Sequence, residues 1–333
     1  MITSFFNNLI NSGSAFACIK FPEEKNIYLI IQDQKGSNFY SFTSFDSSKK
    51  YVFPFSQFNK ISEFEWEKLT FSLTNKKNTQ TISESNYLRI LDKTLYFLQE
   101  KNADKIVISR EKWVDNSNIN PIQSFLFLCK KYPNSFCHLS FWNSEEVWLG
   151  ATPEILGSWS NSTFKTMALA GTLPDKDSFV WENKEMEEQK YVTDYIYNKL
   201  QYYSSSISVK GPETLHLGHV KHLITYFSIP LNDPQLLSKL IHSLHPTPAV
   251  CGLPLEVSRN FIINEEKYNR DFYAGYIGIE TSISKNYFVN LRCGKLYTNG
   301  ALLFVGGGIT AESNPIQEWK ETELKAKFIT ECL

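Results

Sequence analysis

The 333-residue chain has almost no net charge: 34 Lys and Arg stand against 35 Asp and Glu, leaving −1 at pH 7. So even a balance supplies no field of one sign, and nothing in it points to nucleic acid or to a membrane surface as partner. Cysteine pairs are also missing. Cys18, Cys129, Cys137, Cys251, Cys293 and Cys332 lie far apart with no C-x-x-C among them, which fits neither a disulfide framework nor a zinc ribbon. Reduced structural thiols in a cytoplasmic protein are the expectation. No uninterrupted apolar run approaches the roughly 20 residues of a membrane-spanning helix. The opening MITSFFNNLI has no basic segment ahead of its apolar residues, so no signal peptide is expected. G-x-S-x-G, H-E-x-x-H and a dinucleotide G-x-G-x-x-G with its acidic partner are all absent, which leaves serine hydrolase, zincin and dinucleotide enzyme without support.

What is present is a core. Apolar residues make up 42% of the chain and charged residues 21%, enough for a sizeable folded interior. KNIYLIIQD, FYSFTSF and KYVFPF read as strands, being rich in aromatic and β-branched residues. The polar stretch from Leu73 to Ser85 reads as a loop or boundary. Leu88, Leu91, Leu95 and Leu98 then recur at helical spacing. KIVISR (105–110) reads as a buried strand, and Asn120-Pro121 as an N-cap with proline opening a helix through Lys130. Strands are expected at FCHLSFW, VWLGAT and FKTMALAGT, and a helix from Glu182 to Tyr202. Three strand-like runs, YAGYIGIET, YFVNLRCGKL and ALLFVGG, precede a last helix opened by Asn314-Pro315. Strands in series with a few long helices between them imply an α+β fold with mostly antiparallel sheet.

Two glutamate pairs stand out. Glu185 and Glu188 share one face of a helix, and Glu318 and Glu321 repeat the spacing on the last helix, with Lys325 one turn further on. Two such pairs could close around a hard cation such as magnesium, which takes oxygen ligands and keeps waters. A solvated helix face explains the same spacing. VGGGIT (305–310) reads as a flexible turn whose backbone N–H groups could approach an anion. A tight structural turn accounts for it equally. His216, His219 and His222 form H-x-x-H-x-x-H, yet a spacing of three cannot share one strand face and Gly218 weakens a helix there, which argues against zinc.

Read together and in order, DKIVISR, GATPEIL, ALAGT, KEMEEQKYV, VKHLITYF, LHPTPAVCGLP, NRDFYAGYIG, FVNLRCGKL, VGGGI and SNPIQEWKETELK resemble the chorismate-utilising family. Isochorismate, salicylate, anthranilate and aminodeoxychorismate synthases belong to it. The resemblance implies one domain over 1–333, with 84–333 the family core and 1–80 a shortened variable front portion. It also implies two facing, largely antiparallel sheets with helices outside.

Roles follow from the resemblance as expectations. Lys105 would activate a water for attack at C2 of the chorismate ring, and Glu154 would protonate the leaving C4 hydroxyl. Magnesium would lie between Glu188 and Glu321, supported by Glu185 and Glu318. Arg292, Tyr273 and the backbone at Gly306 and Gly307 resemble the grip on the enolpyruvyl carboxylate. Lys325 would sit near the metal, with Gly171, Thr172, His222 and Thr247 lining the pocket. Anthranilate synthases usually carry glutamine at the position of Lys105, and aminodeoxychorismate synthases of the lysine-nucleophile type carry lysine where Ala170 stands. Water is therefore expected as nucleophile, with no amidotransferase partner. The implied activity is that of an isochorismate synthase, an isomerase of menaquinone or siderophore biosynthesis. Salicylate synthase and a non-catalytic chorismate-binding relative are the alternatives. The chain departs from the family pattern at Gln189 (usually histidine), Ala168 (often proline) and Gly307 (usually alanine).

Overall fold

The computed structural model describes residues 13–61, 66 and 71–333. The first twelve residues, which include the opening segment read above for a leader, lie outside the described residues. Strands β1 (Phe16–Lys20), β2 (Tyr28–Ile31), β3 (Asn38–Thr43), β4 (Lys50–Phe55) and β5 (Asn59–Lys60) come first. After helix α1 (Glu84–Gln99) and β6 (Lys105–Asp115) come α2 (Pro121–Lys131), β7 (Phe136–Asn143), β8 (Glu146–Thr152), β9 (Ile155–Ser160) and β10 (Thr163–Pro174). Helix α3 (Asn183–Gln201) leads into β11 (Ser208–Leu217), β12 (Val220–Pro230), α4 (Gln235–Leu244), β13 (Gly252–Leu253) and α5 (Leu255–Glu265). The chain closes with β14 (Tyr276–Glu280), β15 (Ser284–Val289), β16 (Cys293–Tyr297), β17 (Gly300–Ile309) and α6 (Pro315–Thr330).

The strands form two large sheets. One has nine strands in the order β13-β6-β17-β16-β8-β7-β1-β2-β5, the other eight in the order β11-β12-β10-β9-β15-β14-β3-β4. The strand pairs are antiparallel, as in β6–β17 and β10–β12, which bears out an α+β fold built on antiparallel sheet. The front strands divide between the sheets: β1, β2 and β5 extend the first, β3 and β4 the second.

Alternation along the strands decides which side chain goes where. In β1, Ala17 and Ile19 face the main core with Tyr40 and Phe42 of the other sheet. Phe16 and Cys18 face a second apolar layer that Ile122, Phe125 and Leu128 of α2 cover. Both faces of that sheet are thus buried, which is why its strands read as continuous apolar runs. No helix is long and apolar enough to cross a membrane among the described residues.

Three local outcomes differ from the sequence expectation. YFVNLRCGKL is two strands, β15 and β16, broken at Asn290–Arg292. Arg292 takes a left-handed backbone (φ 48°), while the Asn290 side chain donates to Phe272 O at 3.0 Å and its backbone N–H to Gly275 O at 2.8 Å. VGGGIT is not a turn. Gly306, Gly307 and Gly308 lie inside β17 and pair with Ser109, Ile108 and Val107 of β6. Helices α4 and α5 form where no helix is read from the sequence.

Candidate active site

A pocket opens where β6 and β17 of one sheet meet β10 and β12 of the other. Glu154, Thr172, Glu188, His222, Tyr273, Arg292, Gly306, Gly307 and Lys325 line it, with Val107, Leu169, Leu291 and Phe304 supplying apolar wall.

Glu154 lies on the turn between β8 and β9 and is 3% exposed. Its Oε1 lies 3.5 Å from the Thr247 hydroxyl, a long contact that restores little of the lost hydration. Burial pushes its carboxyl up to about 7, against the opposing pull of Lys105, Thr247 and Arg292. A carboxyl held near that value carries a proton it can give up at neutral pH.

Lys105 opens β6 and is fully buried. Its Nζ is 2.8 Å from Glu188 Oε1, contributed by α3. Burial alone would raise the Glu188 carboxyl; the charge of Lys105, with Lys184 and Lys325 behind it, brings it below its ordinary value. The pair fits because residue 308 has no side chain. A Cβ there would come within 2.4 Å of Glu188 Oε1 and 2.7 Å of Lys105 Cε.

Arg292 sits at the break between β15 and β16. Its Nη2 donates to His222 Nε2 at 3.0 Å, and His222 Nδ1 in turn donates to Gly171 O at 3.0 Å. These two bonds assign the neutral Nδ1–H tautomer, in keeping with a His222 pKa driven well down by burial and then by Arg292 and Lys325. Burial lowers Arg292 itself to about 10. Its Nη1 is buried without a hydrogen-bond partner among the described residues, an unspent donor for an anionic group. Tyr273 stands beside the glycine run, its hydroxyl 3.0 Å from where a Cβ on Gly306 would lie.

The second glutamate pair approaches the same glycines. A Cβ on Gly307 would lie 3.0 Å from Glu318 Oε2 and 3.6 Å from Glu321 Oε1. Glu318 is 2% exposed, accepts from Lys184 at 2.8 Å through Oε1, and keeps Oε2 buried without a hydrogen-bond partner among the described residues. Burial, and next the charge of Glu321, raise its carboxyl above the ordinary range. Glu321 pairs with Lys325, whose ammonium also donates to Gly306 O at 2.9 Å. Each of these three carboxylates is thus drawn to a lysine, and among the described residues no three acidic, histidine or cysteine side chains surround a common point as a metal shell. Glu185 turns elsewhere: its Oε2 accepts the Glu182 backbone N–H at 3.2 Å, capping α3.

With this geometry in view, residues 40–333 match the family described as "Chorismate binding enzyme". The chain belongs to that family. It is 28% identical to isochorismate synthase MenF of Escherichia coli over 267 residues, 76% of this chain and 61% of that protein. The chain therefore spans about three fifths of that relative's length. Among solved structures it resembles the menaquinone-specific isochorismate synthase MenF from Escherichia coli, with TM-score 0.81 and 21% identity over 96% of this chain and 88% of that one. DhbC from Bacillus anthracis matches with TM-score 0.81 and 20% identity over 98% and 99%.

In this chorismate binding enzyme the histidine run does not converge. His216 pairs with Asp175, His219 with Glu331, and only His222 reaches the pocket. Gly171 and Thr247 act one step back, through His222 and Glu154. Gln189, where the family usually has histidine, donates to Ala168 O at 3.2 Å and Thr225 Oγ1 at 3.0 Å, fastening α3 to the second sheet. The sequence reading passes over Lys184, although it is the first residue of the KEMEEQKYV motif. Its signal was position: one residue before Glu185 and one helical turn before Glu188.

Proposed function

We propose that the chain is an isochorismate synthase, a magnesium-dependent isomerase that interconverts chorismate and isochorismate. The observation that carries this reading is a pair of opposites at one pocket: Glu154, a buried carboxyl of its lining poised near neutrality, and Lys105, a buried lysine that pairs with Glu188 of the same lining and whose charge Glu154 feels. Lys105 takes a proton from water as its oxygen attacks C2 of the ring, the double bond shifts, and the C4 hydroxyl leaves with the proton of Glu154 as water. The reverse uses the same groups with roles exchanged, so the reaction ends in a mixture. Lys105 stands as an ammonium paired with Glu188, so it has to give up one proton and that pair has to open before its amine can take the proton of the attacking water.

The carboxylate donors present suit a divalent cation, though each is here paired with a lysine. Glu318 has a buried, unpartnered carboxylate oxygen, Glu321 is near enough to raise its pKa, and the glycines at 307 and 308 clear the space beside Glu188, Glu318 and Glu321. These three residues would hold the ion, with Glu185 supporting only indirectly because its carboxylate caps α3. Bound there, magnesium would neutralise the carboxylates and bind the ring carboxylate of the substrate. Arg292, with its unspent Nη1, and Tyr273 would hold the enolpyruvyl carboxylate. Water as nucleophile is supported by Lys105 and Ala170, each standing where an amine-using relative usually differs, and no amidotransferase partner is expected.

The test is one incubation with chorismate and magnesium, products separated by chromatography. Isochorismate in a reversible mixture is expected. Salicylate and pyruvate rising in equal amounts would show the elimination chemistry instead, and anthranilate formed with ammonium would overturn the choice of nucleophile.

A further inference from the structure

Lys184 is the group in this site that neither the acid–base pair nor the substrate grip uses. It lies in the first turn of α3, three-quarters removed from solvent (side chain 26% exposed), and its ammonium pairs with Glu318 Oε1 at 2.8 Å. Glu321 and Glu188 act on the same ammonium through space. Three lysines thus answer the three carboxylates: Lys105 for Glu188, Lys184 for Glu318, Lys325 for Glu321. Lys105 opens the reaction and Lys325 is also tied to the Gly306 carbonyl. The Lys184 ammonium donates to Glu318 alone among the described residues.

We propose that Lys184 is an internal cation that occupies the metal carboxylates when the divalent ion is away and must be displaced for it to bind. The proposal rests on the reading of Glu188, Glu318 and Glu321 as the cation site. Its physical basis is charge. Carboxylates buried within reach of one another repel, and an empty cluster is stable only if something positive answers it. An ammonium on a flexible stem does so through one charge-assisted hydrogen bond, and at the cost of that bond it can swing away when a doubly charged ion arrives. The lysine therefore weakens metal affinity while stabilising the empty enzyme. A residue that merely supported the metal site would do the opposite on removal.

Magnesium binding to the purified protein, without substrate, is measured by titration calorimetry and by the rise in melting temperature on adding the ion. Lys184→Met keeps the length of the stem and removes the charge. It should bind magnesium at least about tenfold more tightly than the wild type, the scale of one charge-assisted hydrogen bond lost from the competing state. The same variant should melt lower than the wild type without the ion and regain more on its addition. Lys184→Arg, which keeps the charge, should bind as the wild type does. Equal or weaker binding in Lys184→Met, with wild-type binding intact and abolished by Glu321→Gln, would overturn the role of Lys184 and leave the metal site standing. Wild-type binding that Glu188→Gln and Glu321→Gln leave unchanged would overturn the site, and the role of Lys184 with it.

Discussion

On folding, Glu154 exchanges water for apolar wall and one long hydroxyl contact, so its carboxyl rises from 4.5 to about 7. Between those two values the folded protein holds a proton that the unfolded chain has released. Stability is therefore lost as pH climbs through this window and stays lost above it, by about 3 kcal/mol in all. Glu154→Gln has no such proton. The wild type should lose about that much relative to the variant between pH 4.5 and 7.5, read from urea midpoints at several pH values. Parallel profiles would show that the carboxyl is not buried in its neutral form. Activity should fall as pH rises past about 7, since the acid must be protonated to act. Lys105 carries a second prediction. Lys105→Ala should cut turnover by about a hundredfold or more. It should also destabilise the fold by about 3–5 kcal/mol, because Glu188 stays buried without its partner. Near-normal turnover in folded Lys105→Ala would remove it from the mechanism. Both residues were legible from the motifs around them. A buried strand was read at KIVISR too, but not the complete burial of its first lysine, because a lysine heading a strand is ordinarily solvated and only the tertiary fold brings Glu188 over it.

At the scale of elements, the parts of the fold with local signals were readable and those defined by partners were not. Asn120 and Asn314 cap α2 and α6, each accepting two backbone N–H bonds with proline following, and these helices begin where the sequence places them. Helices α4 and α5 start after Pro234 and Pro254 with no side-chain cap, so no such flag announces them. Strand β11 is exposed along nearly its whole length and owes its existence to pairing with β12, not to an alternating pattern. The glycine run misleads for a different reason. Glycine is poor in strands, yet β17 needs it there because β6 on one side and the carboxylates on the other leave no room. The three glycines are not equivalent. A Cβ at position 307 meets only the ends of Glu318 and Glu321 at 3.0 and 3.6 Å, while at 308 it would collide with Glu188 and Lys105 at 2.4 and 2.7 Å. Gly307→Ala, the residue the family usually has, should keep most of its activity. Gly308→Ala should lose it by about tenfold or more, since displacing Lys105, the proposed base, by an ångström is that costly. Equal activity of the two variants would mean that the glycines serve only the strand. The last helix is held from outside the pocket as well: Arg110 stacks on Trp319 with its guanidinium 3.8 Å from the ring centroid, donates to Thr322 Oγ1 at 3.0 Å and pairs with Glu323. The arginine closing the DKIVISR motif thus ties β6, which begins with Lys105, to the helix carrying Glu318 and Glu321.

Across the whole molecule, the site belongs to neither sheet. Helix α3, with Glu188, packs on β10 and β12 of the eight-stranded sheet, while α6, with Glu321, packs on β17 of the nine-stranded one. Behind the pocket, buried Arg270 donates to Val107 O of β6 at 2.7 Å and to Val250 O at 2.8 Å while pairing with Glu266, fixing the pocket wall to the strand that carries Lys105. Filling the pocket should therefore stabilise the entire fold and not one lobe of it, because a ligand bound only to the native state adds RT ln(1 + [L]/Kd) to the global free energy. At a hundredfold excess over Kd that is about 2.7 kcal/mol, or several degrees in melting temperature for a chain of this size. Magnesium and chorismate together should raise the melting temperature by more than the sum of their separate effects. The ion adds two positive charges where the dianion adds two negative ones, and each alone leaves the pocket unbalanced. Glu188→Gln and Glu321→Gln, on helices packed against opposite sheets, should each erase the extra rise, because either removes an anionic oxygen from the ion. Differential scanning fluorimetry on the three proteins, with each ligand alone and with both, measures this directly. An additive pair of shifts in the wild type, or an undiminished joint shift in either variant, would mean that the two helices do not close on a shared cation and that the sandwich holds its substrate without one.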